Sequence, residues 1–247
     1  MSFKAPQFRK AKLPQILVGI AVLLAWLFGN PDTSKLTKEP RMSKISKGAA
    51  ANFDYYSLVL SWSPSHCLRK DRSPARLQCD SGKPYSFVLH GLWPQRTKGW
   101  PQFCDSSPRR LGKDLIDDML DIMPAKGLVK HQYKKHGTCS GLSAEQYFEL
   151  SRLLFDKVNI PEKYSNSGQY FVTNARAIRD KFIHSNPGLD PDMIAVDCSG
   201  GNENRLKEVK ICFDKQGDFR KCGKNEKVSR LCKGRKVVIP PARGSGL

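Results

Sequence analysis

The sequence predicts an α+β domain with one principal sheet, helices packed on it, and disulfides stapling it. Three observations carry that prediction. Strand-like and helix-like segments are mixed rather than alternating in strict strand–helix–strand units. Eight cysteines, at 67, 79, 104, 139, 198, 212, 222 and 232, are even in number and form no C-x-x-C pair, which suits bridges in an oxidising compartment better than zinc or a redox motif. Finally, 247 residues with 39% hydrophobic content suffice for one core, in a domain of about 200 residues behind an N-terminal extension.

In the extension, Lys4, Arg9, Lys10 and Lys12 precede an apolar run from Ile16 to Phe28, a charged segment followed by a hydrophobic one of signal-peptide length. Its 13 residues are too few to span a bilayer comfortably. No small-x-small cleavage triplet follows at Gly29; the first is Ala49-Ala50-Ala51. Residues 1–29 are therefore expected to be a signal peptide or, if retained, a short anchor making transient membrane contact. Residues 30–51 read as a basic flexible linker, and 52–247 as the folded domain. Export, to a periplasm or to the outside, follows.

The chain carries 42 Lys+Arg against 23 Asp+Glu, a net charge of +19, and residues 52–247 alone keep 33 against 21. The folded part is itself basic. That favours an anionic partner: nucleic acid, acidic polysaccharide or a membrane surface.

Along the domain, FDYYSLVLSW (53–62) and YSFVLH (85–90) read as strands from their β-branched and aromatic content, with DMIAVDCS, LKEVKICFD and KVVIP further on. Apolar residues 111, 115, 116, 119 and 120 follow the helical period. Ser143 with Gln146 forms a capping box ahead of Tyr147, Leu150, Leu154 and Val158. Thr173 is placed as the cap of another helix, ended by Asn186-Pro187-Gly188.

Two stretches hold chemistry. SFVLHGLWPQ (86–95) delivers His90 from an apolar strand to a turn that also carries Trp93, an imidazole beside a flat stacking surface. VKHQYKKHGTC (129–139) reads as a helix on which His131, Lys135, Gln132 and His136 fall at about 0°, 40°, 100° and 140°, one continuous face, with Tyr133 pointing away. Gly137 can end that helix and Cys139 tie it down. Histidines five apart, with Gln132 where a glutamate would be needed, do not make a zincin site. Separately, each stretch could be structural, a satisfied core histidine and a solvated basic helix. Together they offer a base, an acid and a cation, the set that metal-free cleavage of RNA needs.

HGLWP at 90–94 and KHGTC at 135–139, with the late EVKICFD, resemble the signature motifs of the ribonuclease T2 family, from about Asn52 to Lys236. The resemblance implies a mostly antiparallel sheet with several helices. It also implies an endoribonuclease that cuts single-stranded RNA by transesterification to 2′,3′-cyclic phosphates and then hydrolyses them more slowly to 3′-phosphates. His136 matches the general base, His90 the general acid, Lys135 the group stabilising the phosphorane, and His131 the phosphate-holding histidine. Trp93 lies where the family stacks a base. Implied bridges are Cys104 with Cys139, Cys198 with Cys232, Cys212 with Cys222, and Cys67 with Cys79. No metal or cofactor is implied, and a monomer acting on RNA is expected. Gln132 departs from the family's glutamate; an amide can donate to a phosphoryl oxygen but cannot shuttle a proton. A second reading, a catalytically weakened relative that binds RNA or a cell surface, uses the same basic face; the intact His90, Lys135 and His136 argue against it. His66 and His184 receive no role.

Overall fold

A computed structural model describes residues 52–68, 76–108, 110–165, 167–200, 203–234 and 236–242. The expected N-terminal signal or anchor and the linker lie outside these residues. Among the described residues no helix is long and apolar enough to cross a membrane.

In chain order the elements are β1 (Tyr55–Trp62), α1 (Ser63–Cys67), α2 (Arg76–Cys79), β2 (Phe87–Gln95), α3 (Lys113–Asp118), α4 (Lys126–Lys135), α5 (Ala144–Lys157), α6 (Glu162–Ser165), β3 (Phe171–Asn174), α7 (Ala175–Ser185), β4 (Ile194–Cys198), β5 (Leu206–Phe213) and β6 (Lys236–Ile239). Strands β2, β1, β5 and β4 form one sheet in that order, and β3 pairs with β6 in a second. The strand ladders within both sheets are antiparallel.

The side-chain alternation of strands divides the large sheet into two faces. Tyr56, Leu58, Leu60 and Trp62 of β1, Leu89 and Leu92 of β2, and Val209, Ile211 and Phe213 of β5 enter the hydrophobic core. Tyr147, Phe148 and Leu154 of α5 and Ile178 and Phe182 of α7 meet them there. Trp62 and Phe87 pack edge-on at 5.0 Å, as do Phe87 and Phe182 at 5.6 Å. The alternate residues, Ser57 on β1, Trp93 and Gln95 on β2, and Glu208 and Lys210 on β5, belong to the other face.

β2 differs from the expectation of a strand ending in a turn at His90. It runs on through Gln95, and the register slips by one residue: Val59 pairs with Gly91, but Leu60 pairs with Leu89. His90 is the extra residue of a β-bulge. In an unbroken strand residues 90 and 93 would point to opposite faces. The bulge puts Leu89 and Leu92 both in the core and His90 and Trp93 both on the other face. Pro94 is tolerated because β2 is an edge strand of this sheet.

Helix α5 has the expected box: Gln146 N–H donates to Ser143 Oγ at 3.2 Å and Ser143 N–H to Gln146 Oε1 at 3.1 Å. The cap of α7 is Asn174, not Thr173; its Oδ1 accepts from Ala177 N–H at 2.9 Å, while Thr173 is taken up by pairing with Val237 in β3. The helix expected over residues 111–122 is shorter, α3 followed by a 3-10 turn at Met119–Asp121. Disulfides join Cys67 to Cys79, Cys104 to Cys139, Cys198 to Cys232 and Cys212 to Cys222, the four pairs the resemblance implies.

Candidate active site

His90, thrown out of register by the bulge, is anchored from β5. Its Nδ1 lies 3.0 Å from Oε1 of Glu208, whose side chain is 4% exposed. Glu208 is in turn approached by Lys210 Nζ at 3.5 Å, and Lys210 reaches Asp197 at 2.9 Å. Burial pushes the Glu208 carboxyl up, but the hydrogen bond and charge of His90, with Lys210 and Lys207, outweigh it and bring it down to about 2. Sequence reasoning assigned Glu208 and Lys210 nothing. The signal was a lone carboxylate between two lysines, Lys207 and Lys210, in a strand whose other residues are apolar or cysteine, LKEVKICF.

The second cluster comes from the end of α4. Its helical bonding runs to the C-cap, where His136 N–H donates to Gln132 O at 2.9 Å. Gly137 then allows a close approach, since a Cβ there would collide with the Tyr133 ring. Phe103 N–H donates to Lys135 O at 2.8 Å, next to the Cys104–Cys139 bridge, so a loop is clamped over the helix exit. Phe103 adopts φ 52°, the left-handed region, a conformation that costs an ordinary residue about 1–2 kcal/mol.

The four residues placed on one surface do not share one environment. His131 is exposed and Lys135 half-buried, whereas Gln132 and His136 are only 2% and 3% exposed. The reason is Trp93. Its Nε1–H donates to Gln132 Oε1 at 2.8 Å, and its ring stacks on His136 with centroids 5.0 Å apart and planes at 19°. His90 meets the same indole edge-on at 5.3 Å. The two histidines from distant segments are therefore gathered around one tryptophan. Gly91 makes this possible, because a Cβ there would run into Gln132 Oε1 and lie 2.7 Å from Trp93 Nε1.

Burial, with the charges of Lys135, His90 and His131, depresses the His136 imidazole from 6.5 to about 3. Its Nδ1 is buried, with no hydrogen-bond partner among the described residues. His131 is lowered as well, by partial desolvation of its ring and by the charges of Lys135, His90 and Lys134. Lys135, His90, His131 and His136 thus act on one another electrostatically, with Glu208 the carboxylate that pairs with His90. A cavity of about 170 Å³ opens here, lined by Trp93, Trp100, Lys135, His136, Lys210 and Ser57 among others. Ser57 Oγ is also buried, with no partner among the described residues. Trp100, half exposed, was not singled out in the sequence. Among the described residues one cluster of potential metal ligands occurs, Cys212, Cys222 and Glu226; its sulfurs are joined in a disulfide, which leaves one carboxylate.

The sequence profile of the Ribonuclease T2 family matches residues 53–222. The chain is 36% identical over 178 residues to a ribonuclease of Aeromonas hydrophila, covering 70% of this chain and 77% of that one. It is 33% identical over 198 residues to a probable ribonuclease of Haemophilus influenzae, covering 74% and 65%. Among solved structures it resembles RNase NT, crystallised with 5′-AMP, with a TM-score of 0.54 and 27% identity over 70% of this chain and 96% of that one.

Proposed function

Because the chain belongs to the ribonuclease T2 family, we propose that it is an exported endoribonuclease cutting single-stranded RNA by transesterification. His136 takes the proton of the substrate's 2′-hydroxyl, O2′ bonds to phosphorus, and the 5′-oxygen leaves with a proton from His90. The products are a 2′,3′-cyclic phosphate and a 5′-hydroxyl. In the slower second step His90 activates water, His136 protonates the departing O2′, and a 3′-phosphate results. Lys135 and the amide NH₂ of Gln132 stabilise charge growing on the phosphoryl oxygens, and His131 holds the phosphate. The base occupies the cavity between Trp93 and Trp100. Since one face of Trp93 already carries His136, the indole both positions that histidine and walls the base site.

The observation that carries this reading is the contrast between the two imidazoles around Trp93. His136 is buried against the Trp93 ring, and burial favours its neutral imidazole, the form that can accept a proton. His90 has its Nδ1 engaged by a buried carboxylate, which leaves Nε2 as the nitrogen that gives up a proton. Four disulfides suit a periplasmic or secreted enzyme, working as a monomer.

The test is cleavage of RNA with excess chelator, with products resolved by end-group analysis. Cyclic phosphate ends, undiminished by chelator, are expected, and DNA of the same sequence stays intact because it lacks the nucleophile. Chelator-sensitive cutting, or equal cutting of DNA, overturns the reading.

A further inference from the structure

A groove of about 780 Å³ lies beside helix α4, on the side away from the cavity described above. Its cations are Arg110, Lys113, Lys126, Lys130 and Lys134, against one carboxylate, Asp117. Asp117 is already ion-paired with Lys126 at 2.7 Å and Lys113 at 2.9 Å. Among the described residues no ion pair engages Arg110, Lys130 or Lys134, although Asp105 and Glu145 act on nearby Tyr133. Leu111, Ile116 and the half-buried Tyr133 supply an apolar lining. Uncompensated positive charge around an apolar and aromatic floor is complementary to a strand whose phosphates are anionic and whose bases are exposed.

Helix α4 and the loop before α3 link the groove to the site. Lys130 and Lys134 stand on the same helix as His131, and the charge of Lys134 is felt by that imidazole. The loop that carries Arg110 also carries Phe103, whose half-exposed ring stands 6.4 Å from the ring of His131. A strand leaving the phosphate at His131 would pass Phe103 and Lys134 and enter the groove.

We propose that this groove binds the flank of a single-stranded RNA substrate several nucleotides from the scissile bond. The enzyme is then a long-strand ribonuclease, favouring polymers over dinucleotides. The proposal rests on the ribonuclease reading for its ligand.

The experiment compares the wild type, the double variant Arg110→Gln/Lys130→Gln, and Lys181→Gln as a charge-removal control on the exposed side of α7. A 2′-deoxy strand of about ten nucleotides, which cannot be cut, serves as the binding probe. The double variant is expected to bind it about tenfold more weakly at low salt, with a salt dependence shallower by about 1.4 in log–log slope for two lost phosphate contacts. Its kcat/KM on long RNA should fall about tenfold relative to its value on a dinucleotide, while Lys181→Gln matches the wild type on both. Equal losses on dinucleotide and polymer, unchanged binding of the deoxy strand, or groove-dependent binding of a sulfated polysaccharide but not of the strand overturns the proposal. Groove-dependent binding of the strand without any RNA cleavage would sink the ribonuclease reading and leave the groove standing.

Discussion

Glu208 on β5 holds the Nδ1 of His90 on β2 across the intervening strand β1, at 3.0 Å and from a position 4% exposed. A buried carboxylate in this position fixes both the ring's orientation and which nitrogen faces the substrate.

Glu208→Gln is therefore expected to lower kcat by about 10- to 100-fold with little change in KM, the usual consequence of removing a histidine's orienting partner. Glu208→Asp should recover part of the loss. A folded Glu208→Gln variant with unchanged kcat, or one that Glu208→Asp does not rescue, would make Glu208 merely structural.

Replacing either imidazole should be more damaging. His136→Ala and His90→Ala each remove a proton-transfer group, worth about 10²- to 10⁴-fold in kcat. His184→Ala, on the exposed side of α7, should leave turnover near the wild-type value. Steady-state kinetics on a dinucleotide, with circular dichroism to confirm folding, checks both. Comparable damage from His184→Ala would contradict the site assignment.

The depressed His136 imidazole has a consequence for stability. Its folded value, about 3, lies below the ordinary 6.5. Between those two pH values the unfolded chain binds the extra proton, so this contribution to stability is complete above about pH 6.5 and is lost as pH falls towards 3. His136→Phe should flatten the fall of Tm across that window, as scanning calorimetry would register. Binding of a nucleotide phosphate beside Lys135 should raise the His136 value, measurable by NMR titration with a non-hydrolysable nucleotide.

Gln132 is the position at which the resemblance to the family departs from a glutamate. In the structure its Oε1 is occupied by Trp93 and its NH₂ is the part left to meet a phosphate. If hydrogen bonding is its task, Gln132→Glu should change kcat by less than about tenfold at neutral pH. A gain above about a hundredfold confined to acid pH would show that a proton-carrying group is missing here.

Gly91→Ala tests the junction that holds all of this. The added methyl group meets Gln132 and Trp93 at once, and overpacking of that kind costs about 1–3 kcal/mol. The variant should melt several degrees lower and lose turnover even where it is fully folded. An unchanged Tm with wild-type activity would mean the Trp93–Gln132 contact is dispensable.

Much of this molecule was legible in one dimension. β1, the body of β5, the capping box of α5 and the end of α4 follow from periodicity and local hydrogen bonding, which depend on residues within a turn or two of each other. Two motifs in order, HGLWP and KHGTC, were enough to point at His90, Lys135 and His136. The short helices α1, α2 and α6 escaped because four or five residues are too few to display a period.

The sequence by itself determined which imidazoles, cations and aromatics the protein carries, and the fold class that would display them. Only the tertiary structure decided their states. A one-residue register slip between β1 and β2 sent His90 and Trp93 to the same face, and nothing local to HGLWP encodes the partner strand's register. Contact with that indole buried Gln132 and His136 on a helix face that the period alone left equivalent to the exposed His131. Strand order brought Glu208, 118 residues away in the chain, to His90. Hydrophobic period is a property of neighbours in sequence, whereas the protonation of an imidazole depends on burial and on charges that chain folding alone brings near.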